Sequence, residues 1–160
     1  GEIVIYGSAG DALGYGMRGG AIYVKGSVGY RAGIHMKEYE DKRPVMVVGG
    51  SAGSFLGEYQ AGGTIVILGL SSDGRPPVGY FCATGMHGGK IVLRCDEPPK
   101  HMPSQVSVKR ADKKDMADVL PHITAFCKKF DIDKKEVMSK PFYLITPSTT
   151  NIYKRLYTFN

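Results

Sequence analysis

Few residues in this chain have the types and spacing that chemistry requires. Its four histidines, His35, His87, His101 and His122, fall at intervals that no metal centre uses, and neither a CxxC nor an HxxxH pair is present. The three cysteines, Cys82, Cys95 and Cys127, are odd in number and scattered. This is the pattern of reduced, packed thiols, not of a disulfide frame or a ligand set for an iron–sulfur cluster. Gly14, Gly16 and Gly19 spell GxGxxG, which cradles a pyrophosphate only when a helix follows it. Here the next residues, GAIYVKG, alternate as a strand does, so the fingerprint reads as a glycine-rich corner. The remaining candidates are basic. Arg18, Arg31 and His87 sit beside glycine turns whose free N–H groups can help hold an anion or a partner's acidic surface. The charged insert His35–Pro44, with Lys37, Lys42 and Arg43, reads as a protruding partner-contact loop.

The elements that position these residues follow from the glycines. All 22 lie in residues 1–89, so residues 1–95 are expected to form glycine-rich coils and residues 96–160 a linker and a helical or extended capping tail. Three stretches align without gaps: ALGYGMRGGAIYVKG from Ala12, FLGEYQAGGTIVILG from Phe55 and FCATGMHGGKIVLRC from Phe81. Each ends in a Gly-Gly pair and a short apolar strand, whose pairs Ile22/Val24, Ile65/Ile67 and Ile91/Leu93 share one face by period-two alternation. GEIVIYG and PVMVVG fit the same frame, with Ile3 and Ile5, then Val45 and Val47, assigned inward. Strand ends at Gly7, Gly26, Gly49, Gly69 and Cys95 give a solenoid period. One strand per period cannot bury its apolar face alone, so an all-β-dominated, single-stranded parallel β-helix is expected. Gly14, Gly16, Gly19, Gly20, Gly57, Gly62, Gly63, Gly85, Gly88 and Gly89 are its turn glycines.

The tail reads as DKKDMADVL forming a short helix, a second helix from about Pro121 carrying Ile123, Phe126, Cys127 and Phe130 on one face, and a third capped by Asp133. PFYLITP follows as a strand-like segment and TNIYKRLY as a terminal docking piece. The net charge of +6 is spread among interleaved acids, as in FDIDKKE, which marks solvated helix faces and not a nucleic-acid footprint. No apolar run approaches the roughly 20 residues that span a bilayer, and the N-terminal residues lack the features of a signal peptide. A cytoplasmic protein is expected.

GYGMRGGAIYVKGSVGYRAG, AGGTIVILG and TGMHGGKIVLR resemble the GXGXG domain at the C-terminus of the glutamate synthase large subunit. The resemblance extends to DMADVLPHITAF, with its His122, and to FYLITPSTTNIYKRLY. It implies a right-handed β-helix that stands beside a glutaminase (amidotransferase) domain and an FMN synthase domain. FMN and an iron–sulfur cluster would then belong to those partners, with no cofactor and no catalytic residue in this chain. The glycine coils are also similar to the third subunit of formylmethanofuran dehydrogenase, which stands as the alternative assignment, as does an independent binding module. The resemblance leaves open a separate subunit or an excised domain, and a possible homo-oligomer.

Overall fold

The computed structural model describes residues 1–148. The strands are β1 (Glu2–Ile5), β2 (Ala21–Val24), β3 (Val45–Val48), β4 (Ala61–Ile67), β5 (Gly88–Arg94), β6 (Val106–Arg110) and β7 (Phe142–Pro147). Between β6 and β7 come three helices, α1 (Lys113–Met116), α2 (Leu120–Phe130) and α3 (Lys134–Val137). The expected docking piece TNIYKRLY lies outside the described residues.

The strands form one sheet in the order β1-β2-β3-β4-β5-β7-β6. The first five are parallel and consecutive, while β7 pairs antiparallel with both β5 and β6. This corrects the expectation of a right-handed parallel β-helix with a helical tail: the architecture is an open, seven-stranded mixed sheet with a few short helices. The physical reason lies in the turns. Opposite the strands, the bridges between successive tiers are the isolated Ala9↔Val28, Val28↔Ala52 and Ala52↔Val78, and at the adjoining corners, where residues such as Ala12, Arg31, Phe55 and Phe81 are left-handed, the tiers are joined by single backbone hydrogen bonds and not by a second ladder. The tail also supplies strands. β7 adds to β5 at the sheet edge, and β6, unread in the sequence, adds to β7.

The register aligns Ile5, Val24, Val48, Ile67 and Leu93, so Ile22, Met46, Ile65 and Ile91 form the companion column. Both columns belong to the inner core, where Ile65, Ile67, Ile91 and Leu93 are fully buried. Here a second correction applies: Val45 and Val47 face the other side. VMVV is buried at all four positions because that opposite face is covered too, and an all-apolar strand carries no alternation from which to read its facing.

The cover is α2. Pro121 occupies its first turn, where a missing N–H costs nothing, and Asp131 closes it in a left-handed conformation. Ile123, Phe126, Cys127 and Phe130 face Val45, Val47, Val66 and Val92, each large apolar side chain contributing about 1.5–3 kcal/mol on burial. Gly49 permits the approach: a Cβ there would stand 2.8 Å from Phe126 Cζ. The flanking short helices are capped as their sequences suggest, α1 by reciprocal bonds between Asp112 and Asp115 and α3 by Asp133 accepting from the Lys135 N–H.

Candidate partner-docking face

The corner between the isolated bridges and the strands repeats on four tiers. Hydrogen bonds from the N–H of Ala12 to the Tyr30 carbonyl, Arg31 to Ser54 and Phe55 to Tyr80 place Ala12, Arg31, Phe55 and Phe81 at equivalent positions. A second set joins Gly16, His35, Tyr59 and Gly85. All eight have positive φ, between 56° and 67°. Three of the first set and two of the second are large non-glycine residues, for which this conformation costs about 1–2 kcal/mol each.

These corners carry a strip of rings, exposed except for the half-buried Phe55. The Arg31 guanidinium lies 4.3 Å from the Phe55 ring centroid, Phe55 stacks on Phe81 at 5.0 Å, and Tyr80 flanks Phe81. In the parallel column, His35 sits 5.9 Å from Tyr15 and stacks on Tyr59 at 5.2 Å. Tyr80 is 79% exposed, Tyr15 67% and Phe81 61%, so these rings contact one another while leaving their outer faces in solvent. Against Phe81 lies a hollow of about 460 Å³, walled by Val78, Cys82, Pro99, His101 and Met102.

The sequence-derived candidates divide by position. Arg18, Lys37 and His87 stand at equivalent positions of the first, second and fourth tiers, with Ala61 on the third, so Arg18 and Lys37 are neighbours and His87 is not beside them. Arg18 Nη1 donates to the Gly16 and His35 carbonyls at 2.8 Å, which fixes its guanidinium across the ring column. Arg31 ion-pairs with the buried Glu58 carboxylate and lays its guanidinium over the Phe55 ring. Arg43 reaches Glu38 at 3.9 Å, within a tight hairpin closed by Tyr39 and Lys42. Of the turn glycines, Gly14, Gly16, Gly20, Gly57, Gly63, Gly85 and Gly89 have positive φ. Gly19, Gly62 and Gly88 do not; they sit under close neighbours, Lys42, Glu38 and Ala61 respectively.

Chemistry at the thiols is disfavoured. Burial pushes the Cys82 thiol up to about 12, and burial together with Asp96 and Glu97 pushes Cys95 up to about 11, so neither forms a nucleophilic thiolate near neutral pH. Cys127 is raised as well, by burial first. Cys82 and Cys95 belong to the inner core and Cys127 to the outer one, and among the described residues no three His, Cys, Asp or Glu side chains are placed to hold a metal. An iron–sulfur cluster does not fit them. His122 is half-buried on α2, its pKa lowered by burial.

The ring strip escaped the sequence reading, although a signal for it was present. YRAGIHM, residues 30–36, aligns with DALGYGM, SFLGEYQ and YFCATGM as a fourth copy, and that frame brings Arg31, Phe55 and Phe81 into one column.

No helix among the described residues is long and apolar enough to cross a membrane. An uncharacterized protein of Methanocaldococcus jannaschii is 40% identical over 137 residues, which is 82% of this chain and 52% of that relative, so the chain spans about half the length of the relative it matches. The family described as the GXGXG motif matches residues 2–153. With the glycine corners in place on successive tiers and nearly the whole chain matched, the protein belongs to the GXGXG motif family, that of the glutamate synthase C-terminal domain.

Proposed function

We propose that this chain is a non-catalytic assembly domain or subunit of a glutamate synthase-like oxidoreductase, serving glutamate biosynthesis and nitrogen assimilation. Its partners are a glutaminase and an FMN synthase domain or subunit, and FMN and the iron–sulfur cluster are held by those partners. The observation that carries the reading is the strip of Tyr15, Phe55, Tyr59, Tyr80 and Phe81. Four of these rings are exposed, and Tyr59 and Phe81 are so on positive-φ residues; such rings are an expense for an isolated chain and an asset for an interface, where aromatic anchors dominate binding. Family membership supports the context.

The charges around the strip favour an acidic partner surface, since Arg18, Lys37 and His87 are exposed along it while Glu58 is buried beneath Arg31. The test is affinity capture of the tagged protein from its native cells, with the bound proteins identified. A glutaminase and a flavoprotein are expected, and both are expected to be lost from a Tyr80→Ser/Phe81→Ser variant of unchanged thermal stability. Capture of neither partner by the parent protein, or glutamine hydrolysis by the isolated chain, overturns the reading.

A further inference from the structure

The hollow against Phe81 shares walls with two others. On one side Phe81 also bounds a hollow of about 240 Å³ with Tyr30, Arg31, Ser54 and Phe55. On the other, Pro76, Val78 and Gly79 lead into one of about 360 Å³, walled further by Ser51, Ser72 and Arg75. Joined through these shared residues, the three make one groove, built mainly from residues 75–82 and the loop 99–102.

The groove is apolar beneath and stiff along its walls. Val78 and Met102 pack against the inner core, and Cys82 behind them is a buried, protonated thiol, so the site is built to bind and not to react. Pro76, Pro77 and Pro99 fix the backbone around it, which lowers the entropy lost when a partner is taken up. Charge on its walls has one sign. Arg31, Arg75 and Lys100 line the three hollows, and among the described residues no Asp or Glu does. Arg31 is met by Glu58, but Arg75 commits only its Nε, to the Ser72 carbonyl at 3.2 Å, and Lys100 makes no ion pair among the described residues. Of the acids in the same loop, Asp96 is held by Lys140 at 3.1 Å and Glu97 does not reach the groove walls.

We infer that this groove takes up an extended acidic segment of a partner protein, which seats one large apolar side chain against Phe81 and Met102 and sets carboxylates against Arg75 and Lys100. The shape selects a segment over a compact small molecule. The hollows are joined in series and edged by rings that stay exposed, Tyr80 at 79% and Phe81 at 61%, whereas a small-molecule site encloses most of its ligand. The walls set the sign of the segment's charge, and the apolar floor sets its anchor. This deepens the docking-face reading and rests on it for Tyr80 and Phe81, but not on the partner's being a glutaminase or a flavoprotein.

The experiment selects a random-peptide phage library on the purified full chain, then titrates the enriched peptides, fluorescein-labelled, by anisotropy. The expected consensus is an aromatic or leucine residue flanked by Asp or Glu. Binding is expected to weaken at least about tenfold in Phe81→Ser and, separately, in Arg75→Glu/Lys100→Glu, and to fall as salt is raised. These side chains are exposed, so melting temperatures are expected to be retained. Tyr15→Ser, in the other ring column, is expected to leave binding unchanged. The inference is overturned by the absence of any enriched family, by a consensus without acids, by binding indifferent to both variants, or by binding that Tyr15→Ser weakens and Phe81→Ser does not. Peptide binding as expected, with neither a glutaminase nor a flavoprotein captured from native cells, upholds the groove and removes the assembly reading; the reverse pair of results removes the groove alone.

Discussion

Arg94 Nε donates to the Val137 carbonyl at 2.7 Å, joining the end of β5 to the last turn of α3. Its two Nη atoms reach the Leu68 and Glu136 carbonyls, both at 3.2 Å, so one side chain, 5% exposed, bridges the parallel strands and the tail. Burial lowers the guanidinium's pKa, while Glu136 and Asp96 raise it, and the group remains charged at any pH a protein tolerates. Arg94→Ala strands three carbonyls at once and is expected to cost about 3–5 kcal/mol by urea unfolding. Arg94→Lys, which cannot reach all three, is expected to recover less than half of that loss.

Gln60 occupies the column otherwise filled by Met17, Met36 and Met86 and is fully buried. Its Nε2 makes only long bonds, 3.2–3.3 Å, to the Gly62, Gly63 and Lys90 carbonyls, and its Oε1 has no partner among the described residues. Gln60→Met restores the column's apolar filling and is expected to raise stability by about 1 kcal/mol. A loss of stability in thermal melts would show that the amide's three bonds outweigh its orphaned oxygen.

Gly57 has a φ of +64°, and a Cβ there would stand 2.8 Å from Ile91 Cδ1 in the inner core. Gly57→Ala therefore combines backbone strain with overpacking and is expected to cost about 2–4 kcal/mol in denaturant melts. Gly7→Ala, where nothing lies within 4 Å, is expected to change stability by less than about 0.5 kcal/mol in the isolated chain.

His122 predicts a pH dependence. Burial lowers its folded-state pKa; Asp118 opposes this and Lys90 reinforces it. The unfolded chain therefore takes up a proton near pH 6.5 where the folded chain does not, so the stability linked to this residue is complete above that pH and is lost as pH falls through the lower folded value. His122→Gln is expected to flatten the stability profile across this acidic window while leaving stability above pH 7 nearly unchanged. An identical slope in both proteins assigns the dependence to other groups.

What could be read from the sequence depended on repetition. Ile22/Val24, Ile65/Ile67 and Ile91/Leu93 recur beside Gly-Gly pairs, and the structure buries all six in one core. The same logic failed at Val45 and Val47, because α2 covers the outer face and removes the polar positions that mark a strand's orientation. α2 itself was legible from its apolar spacing, whereas VSVKR in β6 was not, being short and largely exposed at the far edge. The ring strip was hidden for another reason: residue type does not reveal exposure, and it is the left-handed corner that turns Phe81 outward beside the half-buried Phe55.

The register residues Ile5, Val24, Val48, Ile67 and Leu93 are separated by 19, 24, 19 and 26 residues. The longer circuits take up their surplus in the Tyr39–Lys42 hairpin and in the turn around Asp73, both outside the ladder of equivalent positions. An insertion within the ladder would shift every later side chain to the wrong face, whereas one at either outcrop leaves the alignment untouched. Growth of this chain over evolution, and any graft engineered into it, is thereby channelled to two addresses, and the spacing of everything mounted along the corner is preserved through such changes.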